Sequence, residues 1–302
     1  RDRLRSRGLG DVYKRQDIRT LYHSNNCWTS LKRAAGRIAY KDDVITKRLE
    51  KGMANLLHHN TVSFLHFIEL FIDGSKQYLD TKNYKYALML YYALFQDRLD
   101  KTGFASIYEA LELIHKEMYS YFKQEISEII SYLLAHLQLK TMPLGEDVLP
   151  GLELYGCYTR EEIFTLVGRQ TEARKMQGSV TGVFNLSECN ATLLFVTLNK
   201  SDKDFSPSTQ YNDYFINEHY FHWQSQNTDS HQNNGGQRYT KQADTQNKII
   251  LFVREEKKDG YGNTCPFHCF GLVEYMSSHD DFPMNITWKL QQPAMAQYVK
   301  AI

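Results

Sequence analysis

The sequence has no apolar run long enough to cross a bilayer. Its longest, "VSFLHFIELFI" at 62–72, falls well short of the roughly 20 residues that a spanning helix needs. Charge of one sign is scarce too. The net charge is +1 over 302 residues, not the basic excess that phosphate neutralisation asks of a nucleic-acid binder. Cysteine is sparse: five residues, an odd number that suits a reducing compartment better than a disulfide framework. No secretory h-region stands near the start. The expected location is therefore the cytoplasm, with no membrane partner. Ready-made catalytic motifs are also missing. There is no GxxxxGK[ST], no HExxH and no GxSxG, which excludes the phosphate-binding loop, the zinc-protease helix and the hydrolase elbow as local motifs.

What is present is an ordinary globular composition, 42% hydrophobic and 13% aromatic, in a chain long enough for two domains. The charge is uneven. Residues 1–16 carry six basic and two acidic side chains, 17–150 carry 16 of each, and 151–302 carry 14 basic and 17 acidic. Taken at face value, the opening "RDRLRSRGLGDVYKRQ" would read as a disordered, phosphate-binding arm. It also closely resembles translated sequencing-adaptor read-through, and it has no initiator Met. Residues 1–16 are therefore expected to be a non-native tail, set aside as a fusion scar would be, and the native chain is expected to continue upstream of Asp17.

Residues 17–150 read as helical. Val44, Ile45, Leu49, Met53 and Leu56 mark one amphipathic helix, while "VSFLHFIELFI" and "YKYALMLYYALF" are apolar nearly all round and predict buried helices. Asp73-Gly74-Ser75 punctuates the run. Ile107, Leu111, Ile114, Met118, Phe122, Ile126, Ile129, Leu133 and Leu137 step by three and four, which predicts one continuous helix of about eight turns. His58 and His59 are adjacent, so a shared ligand face is poor geometry; a helix end and turn is the expectation there.

Residues 151–302 change texture. Thr159 and Glu162 form a capping box that starts a short helix ending at Gly168. Six segments then read as strands: "TGVFNL", "ATLLFVTLN", "YFINEHYFHWQS", "KIILFVRE", "FHCFGLVEYM" and "MNITWKL". They are rich in β-branched and aromatic residues and are separated by Gly, Asn, Asp and Ser. The predicted fold class is α+β: an all-helical region over 17–150, then a β-rich, barrel-like domain over 151–302 with one or two short helices. The polar stretch from Ser225 to Asn247 is expected to be a long connection, functional or disordered.

Three clusters invite a chemical reading. Cys265, His268 and Cys269 are too crowded and too few for a zinc site; Cys269 is expected to alternate with Phe270 across a strand. Asp244, Glu256 and Lys258 superficially match half of a metal-dependent nuclease core. The third cluster is richer. Tyr211, Tyr214, Tyr220, Phe221 and Trp223 crowd with Asp213, His222, Gln224, Gln226 and Asn227. Alternating aromatics usually make core, yet rings beside amides and a carboxylate are also what a flipped-base pocket requires. Gln237 and Arg238, on a Gly hinge, would add groove or phosphate contacts.

"LELYGCYTREEI", "LFVTLNKSDKDFSPSTQYNDY", "FHWQSQNTDS", "GQRY", "ILFVREEKKD" and "PMNITWKL", in this order over roughly 150–302, resemble a C-terminal domain of unknown function in large bacterial proteins. Those proteins combine a phospholipase D-like nuclease, a DEAD/DEAH-box helicase and this domain. "LLHHNTVSFLHFI" more loosely resembles the helical region that follows the helicase. Some members are similar to ATP-dependent type IV restriction endonucleases that attack DNA with methylated cytosine. The resemblance implies a target reader of duplex DNA, working by base flipping, with the upstream helicase and nuclease of the same polypeptide as partners. It carries over at Phe221 to Asn227 and at Gln237 and Arg238. The catalytic motifs of that family are not in this chain, so no enzyme activity is expected of it alone, and ATP and Mg are expected only for the upstream domains. The rival expectations are a nuclease built on Asp244, Glu256 and Lys258, and a protein-interaction cap on the helicase.

Overall fold

The computed structural model describes residues 18–22, 26–145, 148–176, 181–200 and 212–299. The proposed tail at 1–16 and the site candidate Tyr211 lie outside these residues. The chain divides into two compact units, one of Arg1–His58 with Ser63–His136, the other of His59–Val62 with Leu137–Ile302.

The first unit is helical, as its periodicity predicts. Its helices are α1 (Trp28–Ala34), α2 (Val44–Met53), α3 (Val62–Ile72, which begins in the second unit), α4 (Tyr84–Phe95), α5 (Leu99–Thr102), α6 (Ile107–Glu112) and α7 (Ser120–Ala135). All nine residues from Ala87 to Phe95 are buried, which is why α4 shows no polar stripe. The Asp73-Gly74-Ser75 break ends α3: Gly74 N–H donates to Phe71 O and Ser75 N–H to Leu70 O, the paired bonds that close a helix through a left-handed residue. Helix α1 is capped from far away in sequence. The buried carboxylate of Glu125 on α7 accepts the backbone N–H of Trp28 at 2.7 Å and of Thr29 at 2.8 Å, satisfying two donors that a helix start leaves open.

The single helix expected over 107–137 is broken. The backbone turns extended at Lys116 (φ −72°, ψ 143°), between short 3-10 turns at Leu113–His115 and Glu117–Tyr119. The break shifts the apolar stripe by one position. Met118, on the predicted stripe, is 52% exposed, and Tyr119 is buried in its place.

Among the described residues, the second unit holds the strands and three short α-helices. Strands β1 (Met142–Pro143) and β2 (Glu153–Leu154) form a small ladder of their own. The main sheet contains β3 (Cys157–Tyr158), β4 (Val183–Leu186), β5 (Ala191–Asn199), β6 (Tyr214–Phe215), β7 (Tyr220–Gln224), β8 (Lys248–Glu256), β9 (Phe267–His279) and β10 (Asn285–Leu290). Helix α8 (Arg160–Leu166) starts at the capping box of Thr159 and Glu162, as predicted. Helices α9 (Asn234–Thr240) and α10 (Gln242–Thr245) occupy the stretch expected to be a long polar connection.

The expected barrel is not formed. Among the described residues the order is β4-β5-β8-β9-β10-β7-β6, with β3 beside the start of β9, and the two ends do not pair. The reason lies in the middle. Strands β5 and β8 run parallel, in register from Ala191↔Lys248 to Asn199↔Glu256. A parallel pair needs a long crossover, and here the crossover carries β6, β7, α9 and α10. The β6–β7 hairpin is thereby delivered to the far edge, against β10, and the sheet stays open and mixed.

Both faces of the central strands are buried. One carries the main core, with Leu194 and Val196 of β5, Ile249, Leu251 and Val253 of β8, and Phe221, Trp223 and Trp288 toward the far edge. On the other face Phe195 stacks on Phe252 at 5.3 Å and meets Phe267, while Phe164 of α8 covers it. Strand β9 bends at Gly271, whose φ of +74° sits where its register against β8 shifts. A left-handed residue at a bulge favours glycine, which carries no Cβ penalty.

Candidate functional site

Strand β7 alternates strictly: Phe221 and Trp223 are buried, and Tyr220, His222 and Gln224 are half-buried. Period-2 side-chain geometry puts the two sets on opposite faces. Trp223 meets Tyr239 edge to face at 5.1 Å and lies 6.1 Å from Trp288; Phe221 packs on Phe215 at 4.7 Å. These two aromatics are core, and the ring surface that a bound base would need is not theirs.

Among the described residues, the opposite face of the same strands is half-buried to exposed. Register places Tyr214, His222, Thr287 and Ser277 in one row across β6, β7, β10 and β9, and Gln224, Asn285 and His279 in the next. Tyr214 is 44% exposed, and its ring lies 4.7 Å from that of His222 at an interplanar angle of 31°. Burial lowers the pKa of His222, more than the Asp213 carboxylate raises it. Its imidazole is therefore neutral at neutral pH and forms a flat ring beside Tyr214. Gln224 Nε2 donates to Asn285 Oδ1 at 3.0 Å, and Asn285 Nδ2 donates to Asp280 Oδ2 at 3.0 Å. Gln224 Oε1 accepts the backbone N–H of Asn212 at 2.7 Å.

Asp213 sits beneath this face and is buried. It accepts from Lys200 Nζ at 2.6 Å and from the Gln224 backbone N–H at 2.9 Å. Burial pushes its carboxyl above the usual range, with the Lys200 ammonium opposing. A carboxylate engaged this way fixes the strand edge; it is not presented to solvent.

The remaining candidates are dispersed. Gln226 is half-buried and Asn227 exposed at the turn that leaves β7. Gln237 and Arg238 lie on α9, not on a flexible hinge: Gln237 Nε2 donates to Gln232 O, and its Oε1 accepts from Lys241 Nζ. The glycines before them are tightly packed. A Cβ on Gly236 would stand 2.0 Å from Ser230 O, and one on Gly235 2.2 Å from Asp229 Oδ1, so close approach, not flexibility, explains the pair. Sequence reading missed Asn285, Thr287 and Asp280. Their one signal was the alternation of "MNITWKL", which marks a strand but names no partner.

The rival clusters do not assemble. Asp244 is on α10 just before β8, and Glu256 ends that strand, so roughly 25 Å of extended chain separates them. His268 Nδ1 lies 2.6 Å from the Tyr298 hydroxyl, while Cys269 is wholly buried, its thiol pushed up to about 12 by burial. Phe270 belongs to the main core, so Cys269 does alternate with it. His59 is buried, with Nε2 3.3 Å from Glu162 Oε1. Among the described residues, no helix is long and apolar enough to cross a membrane.

Residues 152–301 match the model of a family described as a domain of unknown function, DUF3427. The match covers the sheet unit from β2 onward. No curated protein matches the chain.

Proposed function

We propose that the sheet unit is a DNA-target reader that receives duplex DNA on the open face of β6, β7, β10 and β9. In this reading the target is a methylated cytosine, and its recognition licenses a helicase and a nuclease carried upstream on the same polypeptide. The observation that carries the proposal is the pairing of an exposed, neutral ring surface, Tyr214 on His222, with the amide row of Gln224 and Asn285. Rings accept a base by stacking irrespective of its identity. Neighbouring amides can donate to and accept from the edge of an unpaired base. The excess of acidic over basic side chains across 151–302 makes the unit a weak binder by itself, so phosphate contacts fall to the helicase.

The test is fluorescence anisotropy of the whole chain with methylated, unmodified and mismatched duplexes at one moderate salt concentration. Tighter binding to the methylated duplex, lost in Tyr214→Ala while the far-ultraviolet circular dichroism stays unchanged, supports the reader. Equal weak binding to all three leaves a general DNA contact. No binding by a folded chain overturns the reading in favour of a docking surface for a neighbouring protein domain.

A further inference from the structure

On the core side of the sheet, at the rim where the segment before α9 meets the β9–β10 turn, three side chains form a hydrogen-bonded chain. His231 Nδ1 lies 2.8 Å from Asp281 Oδ1, and His231 Nε2 lies 2.7 Å from Ser278 Oγ. The Tyr275 hydroxyl lies 2.7 Å from the same Oγ. Donor chemistry orients this chain. An ionised carboxylate only accepts, so Nδ1 carries a ring proton; in the neutral imidazole Nε2 then holds the lone pair, and Ser278 donates its hydroxyl proton to it. The free acceptor position on Oγ is left for the Tyr275 O–H. The backbone N–H of His231 also donates to Asp281 Oδ1 at 2.7 Å, which pins the carboxylate from a second direction.

We propose that Ser278, His231 and Asp281 form a nucleophilic triad that cleaves small carboxylic esters, an activity independent of the DNA reading above. The arrangement has nucleophile, base and orienting carboxylate in the required hydrogen-bonding sequence. A clamp between two loops would need only the Asp281–His231 half. Asp281 is flanked by Asp280 and Phe282, both at φ +59°, and a phenylalanine in that region is a strained placement of the kind found at functional sites. The side chains of His231 and Asp281 are 34% and 40% exposed, so a substrate can reach the group from solvent. Phe282, next in the chain to Asp281, is 61% exposed and offers an apolar surface for the acyl group.

The chemistry balances without a further reactant besides water. Ser278 Oγ bonds to the ester carbonyl carbon as His231 Nε2 takes the hydroxyl proton, and the carbonyl π pair moves onto oxygen. The Tyr275 hydroxyl, 2.7 Å from Ser278 Oγ, is the donor assigned to that developing charge. Collapse of the tetrahedral adduct breaks the bond to the alkoxy group, which leaves with the His231 proton. Water, deprotonated by His231, then releases the acid and restores Ser278.

The experiment is labelling of the whole chain with diisopropyl fluorophosphate, read by intact mass and peptide mapping, alongside p-nitrophenyl acetate turnover. The expected result is one adduct per chain on Ser278. Its formation should slow about 100-fold or more in His231→Gln and measurably in Asp281→Asn and Tyr275→Phe, with p-nitrophenol release falling in parallel. Equal labelling in His231→Gln overturns the proposal and leaves a loop clamp. Ser277, exposed and next in sequence but on the opposite face, is an internal control that needs no variant. If Ser278 reacts no faster than Ser277 in the native chain, the triad is not a nucleophilic site.

Discussion

The two halves of the main sheet are built from similar strands and put to different use. In β5 and β8 both faces are covered, so seven consecutive residues of β5, from Ala191 to Thr197, are buried. In β7 and β10 only alternate residues are buried, because α8 covers the sheet at Phe195 and, among the described residues, no helix covers the β7–β10 face. The same secondary structure is interior framework on one side and surface on the other. A continuous apolar strand marks the framework; an alternating one marks where a partner can be met.

Substitutions can break that contrast in order of size. Phe252→Ala, in the doubly covered half, should cost about 3–5 kcal/mol, seen as a large drop in the urea midpoint. Asp213→Ala should cost a similar or slightly smaller amount, about 3 kcal/mol, because it leaves the buried Lys200 ammonium without its carboxylate. The expected signature is that Asp213→Ala combined with Lys200→Met regains much of the loss, whereas no partner change rescues Phe252→Ala. In the helical unit, Glu125→Ala removes the cap on two α1 amides and should cost about 2 kcal/mol, with hydrogen exchange at Trp28 and Thr29 accelerated.

A pH titration sharpens the comparison further. His222 and His115 both have pKa values lowered, chiefly by burial, from the ordinary 6.5. Below about pH 6.5 the unfolded chain therefore takes up protons that the folded chain refuses. Stability falls from there as pH drops toward the lower folded values and is unaffected by these groups above that window. His222→Gln should make the fall of the urea midpoint with pH below about 6.5 less steep, leaving the His115 share. The smallest effect belongs to Tyr214→Ala, on the open face. It should change stability by no more than about 0.5 kcal/mol, while Trp223→Ala, on the neighbouring strand and pointing inward, costs several times that.

How far the sequence could be read follows the same division. Local pattern found seven of the ten strands among the described residues: each of the six segments contains a strand, "YFINEHYFHWQS" holding two, β6 and β7, joined by a tight turn, while β1, β2 and β3, two residues each, are too short to show a period. It was enough for α8 and its cap. Pairing was not legible, since nothing in "ATLLFVTLN" or "KIILFVRE" says that they lie parallel, and that one fact separates an open sheet from a barrel. Alternation in "YFHWQ" says which residues share a face but not which face is inward, so Phe221 and Trp223 could be grouped yet not placed. The break at Lys116 overrides a periodicity that was locally sound. His231 and Ser278 are far apart in sequence and meet only through the path of the crossover.

The open order of the sheet also bears on how the protein meets copies of itself. A sheet with two unpaired edges is a template for added strands, and unlimited growth is the hazard. Here the terminal strands are the shortest of the path: β4 spans four residues and β6 two. An incoming strand would find only a few backbone partners on either side before the edge ends. A barrel prevents polymerisation by having no edge; this sheet limits it by making each edge too brief to extend.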